Sequence, residues 1–271
     1  MPTTSIIVTT YNRPDALARV LWALAAQTQQ DFEVIIADDG STPMTRALIQ
    51  ALRPQLPYPL KHFWQEDKGF RAARARNQAL ALTAGSYLIF LDGDCVPRTD
   101  FVAQHHHLAE IGWFVVGQRI LLSERFTAQI LKPLTPTGRL QQQRDNIGAW
   151  SVHHWLKPYL RQDINRLLPL LPLPYPFRKR RPQQWQGAQT CNLGVWHQDI
   201  VNINGFNEAF QGWGHEDAEL VVRLVRQNIR RKEGRFALPV FHLWHPLESR
   251  DNERLNRYRL EQHLSNSSSV T

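Results

Sequence analysis

Three short stretches concentrate the side chains that could do chemistry. In "LDGDC", Asp92 and Asp94 stand two positions apart, straight after the apolar run "YLIF". On a continuing strand, positions i and i+2 point the same way, and Gly93 permits a turn that brings both carboxylates to one cation. A hard divalent ion held by a few carboxylates can bridge phosphates. An acidic turn that merely ends a strand would carry the same letters. In "GWGHEDAEL", Gly212 to Leu220, Trp213 lies between two glycines, and His215, Glu216, Asp217 and Glu219 follow. Acids start helices well because the helix dipole favours negative charge there. That accounts for the carboxylates, Glu219 among them, but not for Trp213. In "FALPVFHLWHP", His242 and His245 follow an apolar strand. A lone histidine is more often structural than a ligand.

Weaker signals surround these. "VTTYN" and "ADDGS" are separately ordinary turn chemistry. Together they place Thr9 and Asp39 at the ends of neighbouring strands, where a hydroxyl and a carboxylate could read a nucleobase edge. Arg71, Arg74 and Arg76 share one helix, the usual pattern of a solvated basic face. His105, His106 and His107 cannot all face one ion on a helix, so they read as a surface or packing feature.

The elements that position these residues follow from periodicity. "TSIIVTTYN", "FEVIIADDGS", "LKHFWQE" and "SYLIFLDGDCVP" read as strands, and helical spacing separates them. Strand–helix alternation over the first hundred residues predicts a mostly parallel α/β sheet flanked by helices. Polar residues recur at the carboxyl ends of the strands, where ligands bind in such sheets. Further on, "FVVGQRILL" reads as one strand and "ERFTAQIL" as a helix. Lys157–Pro182 holds six prolines and seven Lys or Arg residues, and reads as an extended connector. A helix begins near Glu216, with Leu220, Val221, Leu224 and Val225 as its apolar stripe. These shifts divide the chain at 1–122, 123–186, 187–262 and a disordered tail, 263–271.

Hydrophobic residues make up 42% of the 271-residue chain, enough for a substantial core, so wholesale disorder is excluded. Two cysteines far apart make no disulfide framework. A net charge of +8 favours anionic partners without choosing among them. The amino terminus carries no secretory pattern and no run is long and apolar enough to span a bilayer, so a cytoplasmic location is expected. Arg178–Arg181 beside "LLPLLPLPYPF" has two readings, peripheral contact with an anionic membrane or a basic loop packed on the protein.

The ordered blocks "SIIVTTYNRPDALARVLWALAAQT", "FEVIIADDGS", "KGFRAARARNQAL" and "GSYLIFLDGDC" resemble the amino-terminal half of family 2 nucleotide-sugar glycosyltransferases with the GT-A fold. The resemblance implies that the aspartate pair is a DxD motif binding a nucleotide diphosphate through Mn²⁺ or Mg²⁺. It assigns uracil recognition to Thr9, Asp39 and Arg71, the ribose to Asp92 and the metal to Asp94. Of the three arginines, Arg71 is then the one to face the donor, and Arg74 is structural or solvent-facing. Ala79 stands where many relatives have glycine, with little expected loss of function.

"GFNEAFQGWGHEDAELVVRL" resembles the GWGxED region of β-1,4-galactosyltransferases and of bacterial chondroitin-polymerase-like enzymes. By that resemblance Trp213 stacks on a sugar, Glu216 binds the acceptor and Asp217 is the general base. "TCNLGVW" makes Asn192 a sugar contact, and His242, with His245 as the alternative, supplies a metal ligand. His215 departs from the commoner small residue. The implied activity is inverting transfer of a hexose or N-acetylhexosamine from a UDP-sugar to a glycan or glycolipid, in bacterial surface polysaccharide or lipopolysaccharide synthesis. A non-catalytic sugar- or lipid-binding relative is the alternative. A nucleic-acid-binding protein is disfavoured because acids occupy the ligand site and no nucleic-acid module is present. No GxGxxG follows the first strand, which disfavours a nicotinamide fold.

Overall fold

The computed structural model describes residues 3–132, 146–247 and 249–265. Thr4–Thr10 forms strand β1, Phe32–Asp38 β2, Leu60–Trp64 β3 and Tyr87–Asp92 β4. They lie side by side in the order β3-β2-β1-β4, all parallel. Burial on both faces explains their near-continuous apolar sequence. Successive residues turn to opposite faces. Ile6, Val8, Val34 and Ile36 pack in one core with Leu17, Val20 and Leu21 of helix α1, Pro14–Ala25. Ile7, Ile35 and Ala37 pack in the other with Ala73, Ala75 and Ala79 of α3, Ala72–Leu80. In sequence α2, Pro43–Leu52, comes between α1 and α3, and its Ile49 and Leu52 join the first core. Both α1 and α2 begin with proline, whose fixed φ suits the first helical turn.

The chain continues through β5 (Cys95–Pro97), α4 (Phe101–Leu108), β6 (Trp113–Val116) and β7 (Gln118–Leu121). Then come α5 (Glu124–Ile130), α6 (Val152–Leu160), β8 (Asn192–Trp196) and α7 (His197–Asn202). Last are α8 (Glu216–Arg226), β9 (Arg230–Glu233), β10 (Pro239–His242) and α9 (Glu253–Ser265). The large sheet extends past β4 as β8-β6-β9, with β8 antiparallel to both of its neighbours. A small sheet has the order β5-β10-β7. The boundaries drawn at 122, 186 and 262 therefore mark changes in sequence character, while strands from either side of the first two share both sheets.

Three expectations need correction. "FVVGQRILL" is two strands in two sheets, β6 and β7, broken at Gly117. A Cβ there would lie 2.1 Å from the Asn192 amide nitrogen, so only glycine lets the chain turn past Asn192. The start of the proline-rich connector is helical. In α6 the ring of Pro158 comes in the last turn, and Trp155 stacks on Phe241 with ring centres 4.2 Å apart. The tail expected to be disordered from 263 is helical to Ser265, and 266–271 lie outside the described residues. Among the described residues no helix is long and apolar enough to cross a membrane.

Candidate active site

Parallel pairing brings the ends of β1, β2 and β4 to one edge of the sheet. Thr9 is in register with Asp92 on one side and Ala37 on the other. The Gly93 N–H donates to the Thr9 carbonyl at 2.7 Å. A Cβ on Gly93 would come within 2.9 Å of that oxygen, so glycine is required for the turn that separates Asp92 from Asp94. Antiparallel pairing of β10 with β5 puts His242 opposite Cys95. Its Nε2 lies 3.7 Å from Asp94 Oδ1, and His245 Nε2 lies 3.3 Å from Asp94 Oδ2. Both histidines thus converge on the second aspartate. Burial lowers the pKa of His242 despite the pull of Asp94, which favours the neutral imidazole a metal needs.

Asp39 and Arg71 also meet. Asp39 accepts from the Arg71 backbone N–H at 2.7 Å and from the Gln65 amide at 2.5 Å. The Arg71 guanidinium donates to the Glu66 carbonyl. Arg74 is exposed, with Glu208 4.0 Å away, as the solvent-facing reading requires. Asn192 is not brought to the cleft. It is buried, its Nδ2 donates to the Leu238 carbonyl at 2.9 Å, and its Oδ1 lies 3.2 Å from His105 Nε2. The amide is consumed in joining β8 to the core. His105 itself is fully buried against Phe101, while His106 is part-buried and His107 exposed, so the run is one packing residue followed by surface.

On the opposite wall, Gly212, Gly214 and His215 all have left-handed backbones, with φ of 76°, 108° and 72°. His215 immediately precedes α8 as its capping residue. Its ring lies 3.3 Å from Glu253 of α9, and Asn256 of α9 donates to the Gln211 carbonyl at 3.0 Å. The loop is therefore anchored from behind, which gives His215 a structural part. Trp213 is 39% exposed, with the Arg250 guanidinium 5.0 Å from its ring centre. Glu219 is more than a first-turn charge. It is buried and forms a forked pair with Arg223, 2.7 Å at each oxygen.

Arg76 joins the two walls, and sequence reasoning left it without a role. Its Nε donates to Thr9 Oγ1 at 3.0 Å, and an Nη lies 3.4 Å from Asp92. The other Nη lies 3.5 Å from Glu216 and 3.6 Å from Asp217. Burial lowers its pKa, but Asp217, Asp92 and Glu216 outweigh that and hold it charged. Burial pushes Asp92 up to about 6 against the pull of Arg76, with Asp94 and Asp217 adding to the rise. Burial and the neighbouring Asp217 push Glu216 up to about 7. Asp217 accepts from the Thr190 N–H at 3.0 Å and from its hydroxyl at 2.5 Å. Asp92 and Glu216 are thus both held well above the usual carboxylate range by burial, on either side of one guanidinium.

Residues 5–168 match Glycosyl transferase family 2, and residues 177–259 match the N-terminal domain of galactosyltransferase. The chain belongs to glycosyl transferase family 2. A validoxylamine A glucosyltransferase of Streptomyces hygroscopicus subsp. jinggangensis is 31% identical over 84% of this chain and 53% of its own length. The hyaluronan synthase of Pasteurella multocida is 39% identical over 82% of this chain and 22% of its own length. The chain thus spans about half the length of the first of these relatives and less of the second. Among solved structures, GalNAc-T7 with UDP, GalNAc and Mn²⁺ aligns at a TM-score of 0.64 with 16% identity, over 96% of this chain and 47% of that one. The mannosyltransferase PcManGT from Pyrobaculum calidifontis aligns at 0.61 with 16% identity, over 100% and 65%. The fold is GT-A.

In this family 2 chain one missed residue had a signal. Arg76 falls in the buried stripe of α3 with Ala72, Ala75 and Ala79, an i, i+3, i+7 spacing. An arginine among inward-facing alanines needs an internal partner. Thr190 had none, because its contact with Asp217 joins distant segments.

Proposed function

We propose that this chain is an inverting, metal-dependent glycosyltransferase moving a hexose or N-acetylhexosamine from a UDP-sugar to a glycan or glycolipid hydroxyl. The observation that carries this is the convergence of Asp92 with Glu216 and Asp217 around one guanidinium, beside Asp94 with two histidines. Asp94, His242 and His245 offer oxygen and imidazole donors. That mixed set suits Mn²⁺ better than Mg²⁺, which prefers an all-oxygen shell. The ion, when bound, offsets the charge of the departing diphosphate. Thr9, Asp39 and Arg71 bind the uracil end of the donor and Asp92 its ribose. Trp213 stacks on the acceptor sugar and Glu216 holds its hydroxyl groups. Asp217 takes the proton of the attacking hydroxyl, and a single displacement inverts the anomeric centre. The acceptor class follows the resemblance to surface-polysaccharide enzymes.

A screen of UDP-galactose, UDP-GalNAc, UDP-glucose and UDP-GlcNAc for UDP release, with and without Mn²⁺, tests this without a known acceptor. At least one donor should release UDP only when metal is present. Release that persists in excess chelator overturns the metal assignment.

For membrane contact we place the surface on α6. Leu156, Tyr159 and Leu160 are 50%, 43% and 73% exposed, with Lys157 among them and Arg161 directly after. The Arg178–Arg181 run is partly consumed by the protein: Arg178 donates to the carbonyls of Glu233 and Arg235, and Lys179 pairs with Glu110. Co-sedimentation with phosphatidylglycerol vesicles and not with phosphatidylcholine vesicles is the expected result. Equal recovery with both would remove this reading.

A further inference from the structure

The Arg76 side chain is 5% exposed, comes from the helix between β3 and β4, and touches both walls of the cleft. The Phe206 ring closes over it at 5.4 Å. Three carboxylates crowded into so small a volume repel one another and would share protons without a cation among them. A lysine could supply the charge. It could not span Thr9, Asp92 and the Glu216–Asp217 pair at once, which needs the planar fork of a guanidinium. Thr190 is 1% exposed and gives Asp217 two donors, one to each oxygen. That fixes the rotation of the carboxylate.

We infer that Arg76 and Thr190 are positioning residues for Asp217. Arg76 sets a cation beside it and ties its place to Asp92 on the opposite wall, and Thr190 sets the direction in which its oxygens face. This rests on the reading of Asp217 as the base. The charged groups that face Asp217 are Arg76 of α3, Asp92 of β4 and Glu216 of α8 itself.

The test compares Arg76→Lys, Thr190→Val, Thr190→Ser and Asp217→Asn in the full chain. The readouts are UDP binding with Mn²⁺ by calorimetry, and the pH profile of turnover with the UDP-sugar that gives the fastest metal-dependent UDP release. Arg76→Lys should lose about 100-fold in turnover, with UDP affinity within about threefold of the parent. Thr190→Val removes a hydrogen bond to the ionised form. Its acid limb should move up by about one pH unit, and Thr190→Ser should restore the parent profile. Equal loss of UDP binding and turnover in Arg76→Lys and Thr190→Val would show a merely structural role and overturn the inference. So would parent-like turnover and pH profile in both. Near-normal turnover of Asp217→Asn would overturn the base reading itself. A loss there beside parent-like Arg76→Lys and Thr190→Val would sink only the positioning inference.

Discussion

The wall proposed to bind the donor stands on strand ends, whereas the wall proposed to bind the acceptor hangs from a loop in which three of four consecutive residues are left-handed. Thr9 and Asp92 inherit their places from the register of buried parallel strands. Little can move there without breaking the sheet. Gly212 to His215 inherits its place from contacts to Phe70, Glu253 and Asn256. Loops of that kind open at lower cost than core strands. One wall is thus held by strand pairing and the other by a single backbone bond to Phe70 and side-chain anchors from α9, with Arg76 between them. Substitutions on the first wall should therefore act on donor binding, and those on the second on acceptor use and local stability.

On the first wall the effect should fall on metal-dependent chemistry. Asp94→Ala is expected to cut metal-dependent turnover by about 100-fold or more and to weaken UDP binding only when Mn²⁺ is present. Unchanged Mn²⁺ dependence in that variant would remove Asp94 as a ligand. On the acceptor wall, a Cβ at Gly212 would lie 2.5 Å from the Asn252 side chain, on a backbone with φ +76°. Gly212→Ala should cost about 1–3 kcal/mol of stability, visible in urea unfolding, with UDP affinity kept. Loss of UDP affinity instead would mean that the two walls are not separable.

Trp213→Ala should raise the acceptor KM about 10-fold while leaving kcat nearly unchanged, as removal of uniform binding does. A fall in kcat alone would assign Trp213 to the chemistry. A separate effect is a pH dependence of stability. The folded protein raises Glu216 from 4.5 to about 7, so it binds the proton more tightly than the unfolded chain. Its stabilising contribution is complete below about 4.5 and is lost as pH rises through about 7. Glu216→Gln should remove that loss, narrowing the pH dependence of unfolding by about 3 kcal/mol. An unchanged slope across this window would show Glu216 ionised throughout.

The donor wall was the more legible in the sequence, for a physical reason. Strand periodicity is local, so the runs ending at Thr10, Asp38 and Asp92 revealed both the sheet and the edge where ligands bind. The first turn of α8 was legible on the same ground. What sequence could not show depended on contacts between distant segments. Asn192 lies in a strand that slots between β4 and β6, so its amide meets His105 rather than the cleft. Gly117 breaks one apolar run into two sheets because Asn192 passes beside it. Arg76 could have been singled out from its stripe of alanines, but its three carboxylate partners come from two other parts of the chain. His242 and His245 both reach Asp94, so the local ambiguity between them reflects a shared place rather than a choice.

In the proposed reaction Asp217 acts in the chemistry without holding the donor. Calorimetric titration of Asp217→Asn with UDP and Mn²⁺, beside turnover of the same preparation, tests that directly. UDP affinity equal to that of the parent, with turnover reduced by about 1,000-fold, is the result predicted. Near-normal turnover, or loss of UDP binding in step with activity, would contradict it.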